Sequence, residues 1–498
     1  MALIQITDLT FAYPGSFDNV FEHVSFQFDT DWRLGLTGRN GRGKTTLLRL
    51  LQGQYPHQGT ITAPGGFEYF PYPIPDAALT PLELLECSFP DVPQWRLRRE
   101  LAPLFVTDDA LYRPFSTLSG GEQAKILLAL LFAREGRYLL IDEPTNHLDE
   151  TGRALVSRYL AKKSGFLLVS HDRAFLDGCV DHILSINRGG IEVQKGNFSS
   201  WYENRQRQDA FELAQNAQLK KEIGRLKQAA RQSRAWADKV ENTKIGPHSA
   251  KVTGEADAMG GRAYIGEQSR RMQQRRKNLE RRQNAAIEEK SALLKNIEQA
   301  APLKLHQLPY HTDRLALLRD VSVCYGGAPV CRGVSFCVEQ GDRIALRGAN
   351  GTGKTSLLRL LCGEDVPHTG TVERSSRLRI SYVRQDPSGL RGDLGAYAAR
   401  YGLDESLFKA ILRKLDFARV QFEKDMADFS AGQKKKVLLA RSLCEPSHLL
   451  VWDEPLNYVD VLSRMQIEDL LLEFQPTIVF VEHDRAFCDH VATKAVML

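Results

Sequence analysis

Glycine, lysine and hydroxyl residues recur at fixed spacing in GRNGRGKTT from Gly38 and again in GANGTGKTS from Gly348. Such loops suit phosphate, because backbone N–H groups must turn inward to meet phosphate oxygens and glycine permits the turn. Gly38, Gly41 and Gly43 supply it in the first copy, and Gly348, Gly351 and Gly353 in the second. The helix expected next adds the positive end of its dipole. Lys44 and Lys354 then reach the β and γ phosphates, while Thr45 and Thr355 offer a hydroxyl to Mg2+. Asn40, Thr46, Asn350 and Ser356 complete the two loops as nucleotide contacts.

Further along each copy, an apolar run ends in paired carboxylates, Asp142-Glu143 and Asp453-Glu454. The aspartates are expected near the metal, and the next carboxylate can orient or deprotonate an attacking water. His171 and His483 end the following apolar runs, where an imidazole can contact the γ-phosphate. Ser119, Gly120 and Gly121 precede a helix expected to start near Glu122, a second N-terminus suited to phosphate. The offsets between copies agree: 310 for Lys44 and Lys354, 311 for Ser119 and Ser430, 311 for Asp142 and Asp453, 312 for His171 and His483. Two ordered sets in register imply a tandem nucleotide-dependent machine.

The elements that must position these residues follow from the pattern. Ile4–Leu9, Arg33–Leu36, Tyr138–Ile141 and Phe166–Val169 read as strands, and Lys44 to about Gln52 as a helix. Strands alternating with helices predict an α/β fold with a largely parallel, covered sheet. Residues 1–200 form one such domain and 306–498 repeat it. Residues 201–305 differ. Leu219, Ile223, Leu226 and Ala230 follow a 4-3-4 spacing; Met272, Leu279, Ala286 and Leu293 recur every seven residues, with Ile297 four later. Those are two amphipathic helices with narrow seams. A glycine-bearing stretch near 240–267 should break them, giving an antiparallel helical hairpin with a tip loop. About 30 helical residues at ~1.5 Å each project the tip ~45 Å.

Composition narrows the class. A chain of 498 residues is too long for one core. Its 43% hydrophobic and 26% charged content is that of an ordinary globular protein. The longest apolar run, Ile126 to Ala133, is far short of the ~18 residues a membrane helix needs. No secretory leader is expected, and the eight scattered Cys read as buried reduced thiols, so a cytoplasmic location is expected. The 201–305 segment holds 22 Lys and Arg against 13 Asp and Glu. Its net +9 within a chain of +5 leaves the flanking parts at −4 together. A polyanionic partner is therefore sought at the middle of the chain, although a solvated coiled coil carries such charge too.

LSGGEQ from Leu118 and FSAGQ from Phe429 resemble the signature of ATP-binding cassette ATPases. In that family the signature of one cassette completes the ATP site of the other. The resemblance implies that the Lys44 site borrows Ser430 and Gly432, and the Lys354 site borrows Ser119 and Gly121. It also implies that Tyr13 and Tyr325 stack on adenine, and that Gln385 reaches the metal. Two departures stand out: Tyr72 aligns with Gln385, and Ala431 replaces the usual glycine. Both fall on the Lys44 site, so two unequal ATP sites are expected, with neutral drift as the alternative.

Tandem cassettes, a charged helical linker and no membrane span resemble the ABC-F translation factors over essentially the whole chain. That resemblance implies binding of the bacterial ribosome E site in the ATP-bound form. The linker would then approach 23S rRNA and P-site tRNA. No membrane subunit is implied, and the chain would act as a monomer pairing its own cassettes. Lys44 to Ser119 spans 75 residues and Lys354 to Ser430 spans 76, so the first cassette has no long insertion. The chain ends at Leu498, just past its last expected strand. RPFSTLSGGE, VSHDRAF, YVRQD and WDEPLNYVD look like the antibiotic-resistance branch, closest to the Lsa type. That branch implies protection against lincosamides, pleuromutilins and streptogramin A. Trp236, Met259 and Tyr264 are bulky residues near the tip that either touch RNA or pack within the hairpin. A housekeeping translation factor, a membrane exporter's ATPase subunit and a DNA-handling ATPase are the alternatives. Missing C-x-x-C pairs speak against the last.

Overall fold

The computed structural model describes residues 2–14, 19–146, 148–187, 190–243, 305, 307–325 and 328–498, together with Gln274, Arg281 and Arg282. Met1–Trp201 and Ala300–Leu498 form one compact unit, and Tyr202–Gln299 a second. The first unit holds both motif sets.

The first cassette contains strands β1 (Leu3–Phe11), β2 (Phe21–Asp29), β3 (Arg33–Thr37), β4 (Gln58–Thr62), β5 (Phe67–Phe70), β6 (Tyr138–Asp142), β7 (Phe166–Val169), β8 (His182–Asn187) and β9 (Gly190–Lys195). Six of them form a sheet in the order β5-β6-β7-β3-β8-β9, in which only β9 runs antiparallel. The interior strand β7 is buried along its whole length, as a strand covered on both faces requires. A smaller antiparallel sheet, β2-β1-β4, packs over it through Ile4, Ile6, Phe28 and Leu34.

The second cassette repeats the plan with β10 (Arg314–Tyr325), β11 (Ala328–Glu339), β12 (Arg343–Arg347), β13 (His368–Arg374), β14 (Ile380–Val383), β15 (Leu449–Asp453), β16 (Ile478–Val481) and β17 (Lys494–Met497). Its sheets run β11-β10-β13 and β14-β15-β16-β12-β17. Trp452 on β15 is fully buried, and its indole N–H donates to Ser442 Oγ at 2.9 Å.

Each motif-bearing strand is followed by a helix with a built-in start signal. Asp149, Asp172, Asp460 and Asp484 are N-caps whose carboxylates accept from Gly152, Phe175, Ser463 and Phe487 N–H at 2.8–3.1 Å. The aspartates after His171 and His483 are therefore structural first. Arg153 and Arg464 fasten them further, at 3.0 Å to Asp172 and 3.4 Å to Asp484.

Helix Phe198–Thr243, most of it in the second unit, carries three of the expected seam positions: Ile223 is buried and Leu219 and Leu226 are half-buried, while the Ala230 side chain lies outside the description. The helix runs past Val240, where the sequence pattern places the start of the loop, to Thr243. The rest of the tip and the heptad positions Met272, Leu279, Ala286, Leu293 and Ile297 lie outside the described residues. All eight thiols are free, but only Cys179, Cys331 and Cys488 are buried, and Cys87 is exposed. The reading of all eight as buried thiols is corrected accordingly. No described helix is long and apolar enough to cross a membrane.

Candidate active site

Both phosphate loops have the backbone expected of their glycines. Gly41 and Gly43 have φ of 84° and 88°, Gly351 and Gly353 of 81° and 85°. A Cβ on Gly43 would stand 2.7 Å from Val20 Cγ1, so that position excludes any side chain. Helices Lys44–Leu51 and Lys354–Cys362 start at once behind these loops. Each lysine folds back over its own loop. Lys44 Nζ donates to Gly38 O at 2.7 Å and to Asn40 Oδ1 at 3.1 Å; Lys354 Nζ donates to Gly348 O at 2.8 Å and to Ala349 O at 2.7 Å. Burial lowers the pKa of both ammonium groups.

The rings expected against adenine sit beside these helices. Tyr13 is 40% exposed and its hydroxyl meets Thr46 Oγ1 at 2.7 Å. Tyr325 is 43% exposed and its hydroxyl meets Ser356 Oγ at 3.0 Å. Both rings are thus partly exposed, and each is anchored through its hydroxyl.

The signature helices run Gly120–Ala133 and Ala431–Cys444, starting two residues before the expected Glu122 in the first copy. Ser119 and Ser430 are their N-caps, each in a capping box with Glu122 or Gln433. A cavity of 760 Å³ brings Ser119, Gly120 and Gly121 opposite Asn350, Gly351, Gly353, Lys354, Thr355 and Ser356. Gln385, Glu454 and His483 complete its wall. The first signature thus lies across this cavity from the Lys354 loop.

The reciprocal contact surrounds the other loop. Asn40 Nδ2 donates to the carbonyl of Tyr458 at 2.9 Å, and Arg39 approaches Asp416 at 3.7 Å. A Cβ on Gly432 would lie 3.4 Å from Asn40 Nδ2 and 2.4 Å from Tyr458 O. Gly432 therefore faces the Lys44 loop. Ala431 beside it is exposed, which leaves its Cβ room.

The carboxylates differ between copies. Asp142 accepts from Thr45 Oγ1 at 3.3 Å and from the Tyr69 hydroxyl at 2.9 Å. Both oxygens of Asp453 are buried without a hydrogen bond of ordinary geometry among the described residues, and burial raises its pKa to about 6. A buried, unsatisfied carboxylate beside Thr355 fits a divalent cation. Thr355, Gln385 and Asp453 would hold it there, and Thr45 and Asp142 in the first copy. Such a cation supplies positive charge to the β and γ phosphates.

Glu143 and Glu454 both adopt left-handed backbone, with φ of 52° and 47°. His171 Nε2 lies 3.4 Å from Glu143 Oε1, and His483 Nε2 lies 3.3 Å from Glu454 Oε1. Their surroundings then diverge. Burial and the Asp142 charge push Glu143 up to about 8. Burial also raises Glu454, but hydrogen bonds from His483 and Gln385 outweigh it and hold the group at about 2. Asn457 Nδ2 adds a donor at 2.6 Å.

Strand register settles the alignment behind this difference. Phe70 pairs with Ile141 and Val383 with Trp452, so Tyr72 stands where Gln385 stands. The Tyr72 ring packs on Phe89 at 5.0 Å. Sequence reasoning missed Tyr69, Tyr458, Lys125 and Asp149. Lys125 and Asp149 line the large cavity. Lys125 lies one helical turn past the signature and Asp149 ends the TNHLD run, so spacing carried a signal for both. Tyr69 and Tyr458 act through contacts that only the fold creates.

Known proteins resemble this chain along its length. The family described as ABC transporter matches residues 21–68 and 331–457. "Ribosome protection protein VmlR" of Bacillus subtilis is 26% identical over 99% of this chain and 86% of its own. "Erythromycin resistance ATP-binding protein MsrA" of Staphylococcus epidermidis is 28% identical over 96% of this chain and 93% of its own. "Energy-dependent translational throttle protein EttA" of Escherichia coli K12 is 25% identical over 95% and 88%. Among solved structures, "RNase-L Inhibitor" aligns with a TM-score of 0.58 at 20% identity, covering 93% of this chain and 82% of that one. An archaeal ribosome recycling factor crystallised with a ribosomal stalk protein aligns with a TM-score of 0.60 at 18% identity, over 96% and 84%. Both structures share the tandem-cassette fold.

Proposed function

We propose that this chain is an ABC-F ATPase that acts on the bacterial ribosome and protects it from antibiotics of the peptidyl-transferase centre. The observation that carries this reading is the composite cavity. The first signature faces the second phosphate loop within one chain, so ATP can clamp the cassettes without a second subunit. The closed form enters the E site. The basic linker, net +9, meets RNA phosphates near P-site tRNA and 23S rRNA. Lincosamides, pleuromutilins and streptogramin A are the drug classes affected.

Glu143 and Glu454 act as bases toward the attacking water, with His171 and His483 beside them. Mg2+ would be held by Thr45 and Asp142, and by Thr355, Asp453 and Gln385. Hydrolysis opens the clamp and releases the ribosome. The chain works in the cytoplasm as a monomer, with no membrane subunit. The similarity to a translational throttle protein favours a second reading, a housekeeping translation factor without a resistance role.

The double variant Glu143→Gln with Glu454→Gln tests the ribosome reading. It is expected to hold ATP, stay closed and co-sediment with ribosomes; sedimentation free of ribosomes at saturating ATP sinks the reading. Expression in a susceptible host separates the two alternatives. Raised tolerance to a lincosamide supports protection, and unchanged inhibition by all three drug classes leaves the housekeeping role. Neutralising Arg270, Arg271, Arg275 and Arg276 is expected to flatten the salt dependence of ribosome binding by roughly one log-log unit per lost phosphate contact.

A further inference from the structure

The second signature helix buries a lysine behind the active site. Lys435 has no exposed surface. Its Nζ donates to the carbonyl oxygens of Arg384 at 3.0 Å, Glu454 at 3.0 Å and Asp453 at 3.4 Å. Burial lowers its pKa to about 8, and Glu482 is the charge that opposes this most strongly. Glu482 is buried as well. Its Oε1 accepts from Leu456 N–H at 2.8 Å and its Oε2 from His483 N–H at 3.1 Å.

The backbone from Asp453 to Leu456 is thus held from both sides. An ammonium gathers its carbonyls and a carboxylate gathers an N–H. The same ammonium fixes the residue before Gln385, and the same carboxylate fixes His483. Gln385 and His483 are the side chains whose hydrogen bonds keep Glu454 ionised.

Neither charge exists in the first cassette. The signature offset places Ala124 opposite Lys435, and the histidine offset places Ser170 opposite Glu482. Leu456 corresponds to Thr145, whose Oγ1 meets Ser170 Oγ at 3.5 Å. The cassette fold forms with these short neutral groups, so it does not require the pair. A lone buried charge is strongly destabilising, so the two substitutions belong together.

We propose that Lys435 and Glu482 are a positioning pair that holds Glu454, Gln385 and His483 in register for hydrolysis at the Lys354 site. Neither lines the cavity, so both act through other groups. The inference rests on Glu454 being the base of that site.

The test combines Lys435→Ala with Glu482→Ser, the residues of the first cassette, so that no charge is orphaned. Steady-state ATP turnover and binding of a fluorescent ATP analogue are measured on the full chain. The expected result is a fall in kcat of about tenfold or more, with KM and analogue affinity within about twofold of the parent. Parental kcat overturns the proposal. So does a fall in kcat matched by equal losses of nucleotide affinity and thermal midpoint, because a folding defect then suffices. Should the double variant not fold, Lys435→Met with Glu482→Gln keeps both side-chain shapes and removes both charges. The same selective loss of kcat is expected there, and parental kcat again overturns the pair. Glu454→Gln, measured alongside, separates the premises: full turnover in that variant overturns the base assignment and the proposal with it. Loss of turnover there beside parental kcat in the double variant overturns the pair alone.

Discussion

Asn40 in the first phosphate loop donates a hydrogen bond to the backbone carbonyl of Tyr458 in the second cassette, at 2.9 Å. The same side chain accepts from Lys44 Nζ at 3.1 Å. One amide thus connects the phosphate-binding lysine to the partner cassette. Gly432 packs against that carbonyl so closely that an added Cβ would lie 2.4 Å from it.

Gly432→Ala is therefore expected to displace Tyr458 and remove the Asn40 contact. A lost hydrogen bond of about 1 kcal/mol shifts the closed-to-open ratio roughly fivefold. Fluorescence energy transfer between labels on the two cassettes, titrated with ATP, reads this directly. An unchanged closing midpoint would falsify the assignment of Gly432 to the Lys44 site.

The two glutamates are expected to contribute unequally. Glu454 is ionised and held by three donors, whereas burial and Asp142 favour the protonated form of Glu143. Glu454→Gln should remove the larger share of turnover, about tenfold more than Glu143→Gln, within the range a positioned base supplies. Equal losses in the single variants would point to neutral drift between the copies.

Gln385 and Tyr72 occupy equivalent strand ends but touch different things. Gln385→Tyr removes a donor to Glu454 and is expected to lower kcat by about tenfold. Tyr72→Gln removes only the packing on Phe89. Its cost is expected in the thermal midpoint, at roughly 0.5–1.5 kcal/mol, with turnover close to parental. A reversal of these two outcomes would refute the assignment of Gln385 to the catalytic wall.

Asp460 provides a pH-dependent stability test. It accepts from Lys436 Nζ at 2.9 Å in a fully buried pair and caps the helix Val461–Phe474. Burial opposes its charge, but Lys436, Lys44 and the Ser463 N–H hold its pKa well below the usual aspartate range. A depressed folded value means the contribution is complete above the unfolded pKa near 3.9 and is lost as pH falls through the folded one. Asp460→Asn should cost about 3–5 kcal/mol at neutral pH by orphaning Lys436. The deficit should persist between about pH 5 and 8 and shrink below about pH 4. Urea unfolding at several pH values checks it; a deficit that grows on acidification would contradict the pairing.

Much of the catalytic layer is legible in the amino-acid sequence. Gly43, Lys44 and Glu454 announce themselves because phosphate chemistry needs fixed residue types at fixed spacing. The Tyr72 and Gln385 correspondence is legible too, since strand period and offset constrain it, and strand register agrees. Tyr69 is not legible. Its hydroxyl reaches Asp142 only because β5 and β6 lie side by side. Lys435 is hidden for a related reason: a lysine in a KKK run reads as a solvated face, and only burial shows that it is not. The aspartates after His171 and His483 carry no role in the motif pattern, yet they start helices.

The left-handed backbone at Glu143 and Glu454 bears on how these residues should be replaced. A side chain with a Cβ held there stores about 1–3 kcal/mol, which the sheet ends and the following turn must sustain. Glutamine keeps that load, so Glu143→Gln and Glu454→Gln report on the lost carboxylate alone. Glycine would release it, and Glu→Gly at either position mixes a relaxed turn with a missing base. Each carboxylate is thus mounted on a compressed spring, and its aim is set by the strands on either side of it.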